Sequence, residues 1–167
     1  MDPLTAQWKD QLVVLAATAY AAVLGGLIGL DREFRRKPAG LRTHMLVSSA
    51  AALIVGLGDL LAEHFARQAY HEMIRVDPMR LIQAIVLGVA FIGAGTISRA
   101  HGRVRGLTTA SSVLVAVAIG IGAGLRMYIA ALGATLLTLL VLRAVRRIET
   151  LIRTRDGAAH PEPDTED

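Results

Sequence analysis

The chain has 167 residues, of which 53% are hydrophobic and 19% charged, with a formal net charge of +4. That length holds one compact domain and little else. There is no cysteine, which excludes disulfides, iron–sulfur clusters and thiol catalysis.

The charges are not scattered. They gather between five apolar stretches, Gln11–Leu30, Leu41–Ala62, Leu81–Ser98, Gly106–Leu125 and Met127–Leu142. A helix rises ~1.5 Å per residue, so ~20 mostly apolar residues cross a hydrocarbon core ~30 Å thick. The first four stretches reach or approach that length. Arg126 and Arg143 flank the fifth, and such side chains snorkel to the interfaces. The expected fold class is therefore all-α, a polytopic membrane protein with five transmembrane helices. Residues 1–155 are expected to form the transmembrane domain. The tail, 156–167, is polar, acidic and proline-bearing, and is expected to be disordered and cytoplasmic. Met1–Asp10 has no basic n-region, so the first stretch is expected to stay as a span and not to be a cleaved signal.

Thirteen of the 18 Lys and Arg fall in the segments after the first, third and fifth stretches, counting Arg42 with the first of these. The positive-inside rule then puts the N-terminus outside and the C-terminus in the cytoplasm. The basic balance is a product of topology and not evidence for nucleic-acid binding, so nucleic acid is not expected as a partner. The remaining partner classes are a bilayer with an anionic inner leaflet, another inner-membrane protein, and a second copy of the chain. The segment Glu63–Arg80 reads as an outer loop, with Trp8 and Tyr128 at the same interfacial level. The last helix is expected to continue as a basic amphipathic extension along the inner surface, through Val145, Ile148, Leu151 and Ile152.

Small residues recur every four positions: Ala21/Gly25/Gly29, Ser48/Ala52/Gly56, Ala84/Gly88, Ala116/Gly120/Gly124 and Ala130/Ala134. In lipid, such stripes let helix backbones approach. Gly25, Gly29, Gly93, Gly95 and Gly106 are the glycines expected to serve packing. Gly120–Gly124 follows no strand and lies within an apolar stretch, so it reads as packing and not as a nucleotide loop.

Gly40–Gly58 aligns without gaps on Gly106–Gly124. The matches are Gly40/Gly106, Leu41/Leu107, Thr43/Thr109, Val47/Val113, Ala50/Ala116, Ala52/Ala118, Gly56/Gly122 and Gly58/Gly124. The expected unit is helix, basic inner loop, Gly-Leu-x-Thr, helix. Two parallel copies are followed by a fifth helix.

The repeat would bring together the densest polar segments, Asp31–His44 and Ser98–Thr109. The candidate functional cluster is Asp31, Arg32, Glu33, Arg42, Thr43, His44, Arg105, Thr108 and Thr109. Pro38-Ala39-Gly40 should end the first helix, and Thr43 and Thr109 should stand near the starts of the second and fourth. Asp31 and Glu33 are expected to balance Arg42 and Arg105 in a buried or half-buried network. Arg35 and Arg36 read as a solvated charge run. No catalytic residue, metal ligand or cofactor is expected. His44, His64, His71 and His101 form no H-E-x-x-H pair, and no phosphate loop or nucleophile elbow is present. The chain is not expected to be an enzyme.

Ile28-Gly29-x-Asp31-Arg32-Glu33, Ala39-Gly40-Leu41-Arg42-Thr43-His44-x-Leu46-Val47, Phe91-Ile92-Gly93-Ala94-Gly95 and Val104-Arg105-Gly106-Leu107-Thr108-Thr109-Ala110 carry a family resemblance. In order and spacing they resemble the MgtC/SapB family of bacterial inner-membrane proteins, over roughly residues 20 to 125. The resemblance implies a small multi-helix membrane domain and a role in adaptation to low magnesium and, in pathogens, survival inside host cells. Two departures stand out. Asp31 occupies a position that is usually Glu, which keeps the charge. Val113-Leu114 stands where a tryptophan is common. Some members add a cytosolic regulatory domain after the last helix; ligand sensing by such a domain is not expected of this chain. A regulatory or partner-binding membrane protein is the expected function, with a Mg²⁺ transporter or channel component as the alternative. Mg²⁺ sheds water reluctantly and favours carboxylates, but the one acid within the apolar stretches is Asp59, near an outer end.

Overall fold

The computed structural model describes residues 3–66, 77–100 and 103–157. Five helices account for nearly all of them: α1 (Pro3–Phe34), α2 (Leu41–Ala66), α3 (Pro78–Gly95), α4 (Leu107–Gly124) and α5 (Tyr128–Gly157). All five are long and apolar enough to cross a membrane. The large side chains left exposed, such as Phe91, Leu87, Ile129 and Leu137, are what a lipid solvent accepts. The chain is a multi-pass helical membrane protein.

Between α3 and α4 the structure departs from the expected loop. Ser98–Ala100 (β1) and Arg103–Arg105 (β2) pair as an antiparallel hairpin, with Ser98 opposite Arg105 and Arg99 opposite Val104. Gly106 then turns the chain into α4 at φ 93°, with the Thr96 carbonyl pressed against the place a Cβ would take. Only glycine suits that backbone. Its role is this turn, and not the helix packing expected of it.

The first helix also ends earlier than Pro38-Ala39-Gly40 suggests. Arg36 lies at φ 51°, and the Arg36 and Lys37 amides donate to the Glu33 and Arg32 carbonyls. This is a Schellman-type stop with Arg in the left-handed position. Arg126 (φ 62°) ends α4 the same way, its amide donating to Ala123 and that of Met127 to Gly122.

The central helix is α4, which packs against each of the other four. In its apolar window 56% of residues are buried, against 11% in α3 and in α5. The core is built on three of the small-residue stripes. A Cβ at Gly25 would lie 2.5 Å from the His44 carbonyl oxygen and 2.7 Å from Ser48 Cβ. One at Gly29 would meet Leu41 Cα at 2.7 Å, and one at Gly124 would meet the Ala52 carbonyl oxygen at 2.8 Å. Gly120 abuts the Ser48 carbonyl. Ser48 sits where α1, α2 and α4 meet, fully buried, donating its hydroxyl to the Ala21 carbonyl at 2.9 Å.

The other two stripes face outward. Gly88 has open space where a Cβ would be, and Ala84, Ala130 and Ala134 are exposed. Gly95, expected to pack, also faces open space, and a Cβ at Gly93 would make only ordinary contact with Ala110. Both helix–connector–helix units are present, and α2 and α4 both begin at the Leu of Gly-Leu-x-Thr.

Tyr20, not Trp8, marks the level of Tyr128. Their rings meet edge-on with centroids 5.4 Å apart, and the Tyr20 hydroxyl donates to the Tyr128 carbonyl. Trp8 lies about three turns earlier in α1. Of the expected outer loop, Glu63–Ala66 belongs to α2, and Asp77 caps α3 by accepting the Met79 amide at 2.9 Å. Residues 67–76 lie outside the described ones. So do 158–167, most of the expected tail, whose first two residues, Asp156 and Gly157, are helical. The fifth helix does continue past its apolar stretch, unbroken to Gly157. The side chains that would make it amphipathic, beyond Val145, lie outside the description.

Candidate functional site

The polar core lies where the end of α1 meets the starts of α2 and α4. Arg32 is 2% exposed, and its Nη2 donates to Thr109 Oγ1 at 2.7 Å, tying α1 to α4. One turn deeper, His44 of α2 is fully buried. Its Nδ1 faces the Gly40 carbonyl at 2.9 Å and its Nε2 faces Ser112 Oγ at 3.1 Å. A carbonyl cannot donate, so Nδ1 carries the proton. In the neutral ring Nε2 is then an acceptor and needs the Ser112 proton. That same proton is also directed at the Thr109 carbonyl, 2.8 Å away. Two acceptors thus lie within reach of one hydroxyl hydrogen, and the imidazole, Ser112 and the first turn of α4 form one connected unit.

Asp31 belongs to a second group. Its carboxylate accepts from Arg35 Nε at 2.8 Å and Nη2 at 3.0 Å, and from Arg143 Nε of α5 at 3.4 Å. The Asp31 side chain is 6% exposed and that of Arg35 24%. A paired carboxylate at this depth is far less screened than a surface pair.

The expected network is therefore built from other partners. Asp31 pairs with Arg35 and Arg143, and not with Arg42 or Arg105, which are exposed and stand apart from it. Arg35 is an ion-pair partner and not part of a solvated run. Glu33 balances no arginine in the core. Its Oε2 accepts the Leu41 amide at 2.9 Å and lies against Gly40, so it caps α2 from the preceding helix. That is the role expected of Thr43, which is half-buried and outside the network. Thr109 likewise receives Arg32 and does not cap α4, where Gly106 makes no side-chain cap. Thr108 is exposed.

Of the nine residues proposed from sequence, the structure brings Asp31, Arg32, His44 and Thr109 together in the buried part. It adds Ser112, Arg35 and Arg143. Arg35 carried a usable signal, because residues four apart on a helix are neighbours. Arg143 carried none, being 112 positions from Asp31.

Beside these groups is a cavity of about 230 Å³ at the junction of α1, α4 and α5, lined by Asp31, Arg32, Arg35, Lys37, Thr108, Val141, Leu142 and Val145. Among the described residues, no three His, Asp or Glu side chains converge in a metal-binding group.

A five-helix membrane domain with a buried Arg–Thr and His–Ser core defines the class. The model of the MgtC family matches residues 18–151, and the chain belongs to that family. It is 37% identical over 151 residues to a protein of Escherichia coli named "Putative magnesium transporter YhiD", covering 87% of this chain and 63% of that one. It is 39% identical over 120 residues to a Brucella abortus protein named "Protein MgtC" (71% and 46%), and 33% identical over 122 residues to "Protein SapB" of Bacillus subtilis (72% and 51%). The chain thus spans about half to two thirds of the length of these relatives. No solved structure matches it.

Proposed function

We infer that the protein is a regulatory or partner-binding membrane protein, not an enzyme, that acts in adaptation to low magnesium or a related stress. One observation carries the reading: the buried polar groups tie helices to one another and centre on a cation. Arg32 and His44 occupy the core, and Asp31, the one buried carboxylate among the described residues, is held by Arg35 and Arg143. A Mg²⁺ path calls for carboxylates free to replace water ligands. The link to magnesium rests on family membership and on the name of the Escherichia coli relative. That name also favours the second reading, a Mg²⁺ transporter or channel component. The same proposal places the chain in the bacterial inner membrane, N-terminus outside, with another inner-membrane protein or a second copy as partner. The bias of basic residues supports this orientation.

The test pairs two measurements. A strain lacking the protein is grown at low magnesium, and the purified protein is assayed for radiolabelled Mg²⁺ uptake in proteoliposomes. A growth defect without uptake supports regulation; saturable uptake overturns it in favour of transport.

A further inference from the structure

The cationic cavity does not end at polar walls. Thr108, Val141 and Leu142 also line a groove of about 320 Å³ between α4 and α5, which continues along Ser111, Val115, Leu137 and Thr138. The two spaces therefore adjoin along these three residues. One end is polar, with Arg32, Arg35 and Lys37 against the single carboxylate of Asp31. Both oxygens of that carboxylate already accept from arginines, so the cavity keeps an excess of positive charge. The other end runs toward the middle of the membrane between two spanning helices and is walled chiefly by hydrocarbon.

We propose that this chain binds one anionic phospholipid of the arginine-rich leaflet, with its phosphate in the cavity and one acyl chain in the α4–α5 groove. Arg32, Arg35 and Lys37 supply the attraction that such headgroups feel near basic clusters. Thr108, in the cavity wall, adds a hydroxyl donor. A free phosphate would satisfy the cavity but leave the groove empty, whereas a bilayer lipid fills both. A zwitterionic lipid would bring its own cation to a site that already has an excess. The inference goes beyond the regulatory reading and does not depend on it.

Native mass spectrometry of the purified chain, with phosphatidylglycerol and phosphatidylcholine supplied in equal amounts, tests it. The wild type should retain one phosphatidylglycerol per chain, with a preference of about tenfold over phosphatidylcholine. Lys37→Glu should abolish the preference by reversing a charge of the cavity. Ser111→Phe should lower retention of both lipids by filling the groove. Both residues are exposed, so neither change removes a core contact. Should either variant fail to fold, Lys37→Gln and Thr138→Phe read the same two ends. Arg99→Glu, on β1 and outside the site, should bind like wild type. Equal retention of the two lipids by wild type, equal loss in Arg99→Glu and Lys37→Glu, or displacement of the lipid by inorganic phosphate would each overturn the proposal, the last by reassigning the cavity to a free anion.

Discussion

Arg32 and Thr109 are 77 positions apart in sequence and 2.7 Å apart in space, joined by a hydrogen bond inside the bundle. A hydrogen bond to a charged group is worth about 1.5–3 kcal/mol. Thr109→Val should therefore lower unfolding stability in detergent by about that amount. Thr108→Val, one residue earlier and exposed, should stay within about 0.5 kcal/mol of wild type. Equal effects of the two changes would show that the bond contributes nothing.

The two arginines on Asp31 should not contribute equally. Arg35 makes two short contacts from a largely covered position, whereas Arg143 makes one at 3.4 Å with 65% of its side chain exposed. Double-mutant cycles should give a coupling of about 1–3 kcal/mol for Asp31–Arg35, between the values of surface and buried pairs, and no more than about 1 kcal/mol for Asp31–Arg143. The reverse order would mean that α5, and not α1 itself, holds the carboxylate.

The glycines divide into two sets by what faces them. Gly25→Ala, Gly29→Ala and Gly124→Ala each force a methyl group to within 3 Å of a neighbouring helix, and each should cost about 1–3 kcal/mol as overpacking. Gly88→Ala, Gly95→Ala and Gly133→Ala meet open space and should be neutral or stabilising by up to about 1 kcal/mol, because alanine is the better helix former. Thermal unfolding of the six proteins in one detergent decides whether the two sets separate.

That division shows how far the sequence could be read. Five spans, the Gly-Leu starts of α2 and α4, and the stripes of α1, α2 and α4 were all visible, because span length and residue size are local properties. The stripe Ala84/Gly88 has the same spacing yet faces outward. Periodicity identifies a small face on a helix but says nothing about which helix covers it. The same limit explains the site. Arg32, His44 and Thr109 could be singled out as polar groups near helix ends, yet only the packing of α4 and α5 joins Ser112 to His44 and Arg143 to Asp31. The pairing expected for Asp31 failed because the repeat suggested symmetry. Thr43 and Thr109 are equivalent in the alignment, but one is peripheral and the other receives a buried guanidinium.

Arg36 and Arg126 offer a backbone test. Each holds a left-handed conformation that glycine adopts at no steric cost. Arg126→Gly should leave stability unchanged or raise it by up to about 1 kcal/mol, while Arg126→Val should lower it, because a β-branched residue is an outlier there. If both variants melt alike, the helix stop at α4 is not set by this residue.

Topology can be checked directly. Reporter fusions inserted within 67–76 and fused after Gly157 should report opposite sides of the membrane, with the second in the cytoplasm. A shared side would contradict a chain that crosses five times.

The helices also differ in length in a way the surrounding bilayer must feel. The 18 residues of α3 span about 27 Å, and its flank is largely uncovered by protein. The apolar span of α5, Tyr128–Val145, is also 18 residues and as little covered, whereas the uncharged stretch of α1, Gln11–Leu30, is 20 residues, about 30 Å, the thickness of a typical hydrocarbon core. The perimeter of this protein is therefore uneven. Lipids beside α3 and α5 meet spans about 3 Å short of their own thickness and are drawn thinner there, whereas those beside α1 meet a span that matches them.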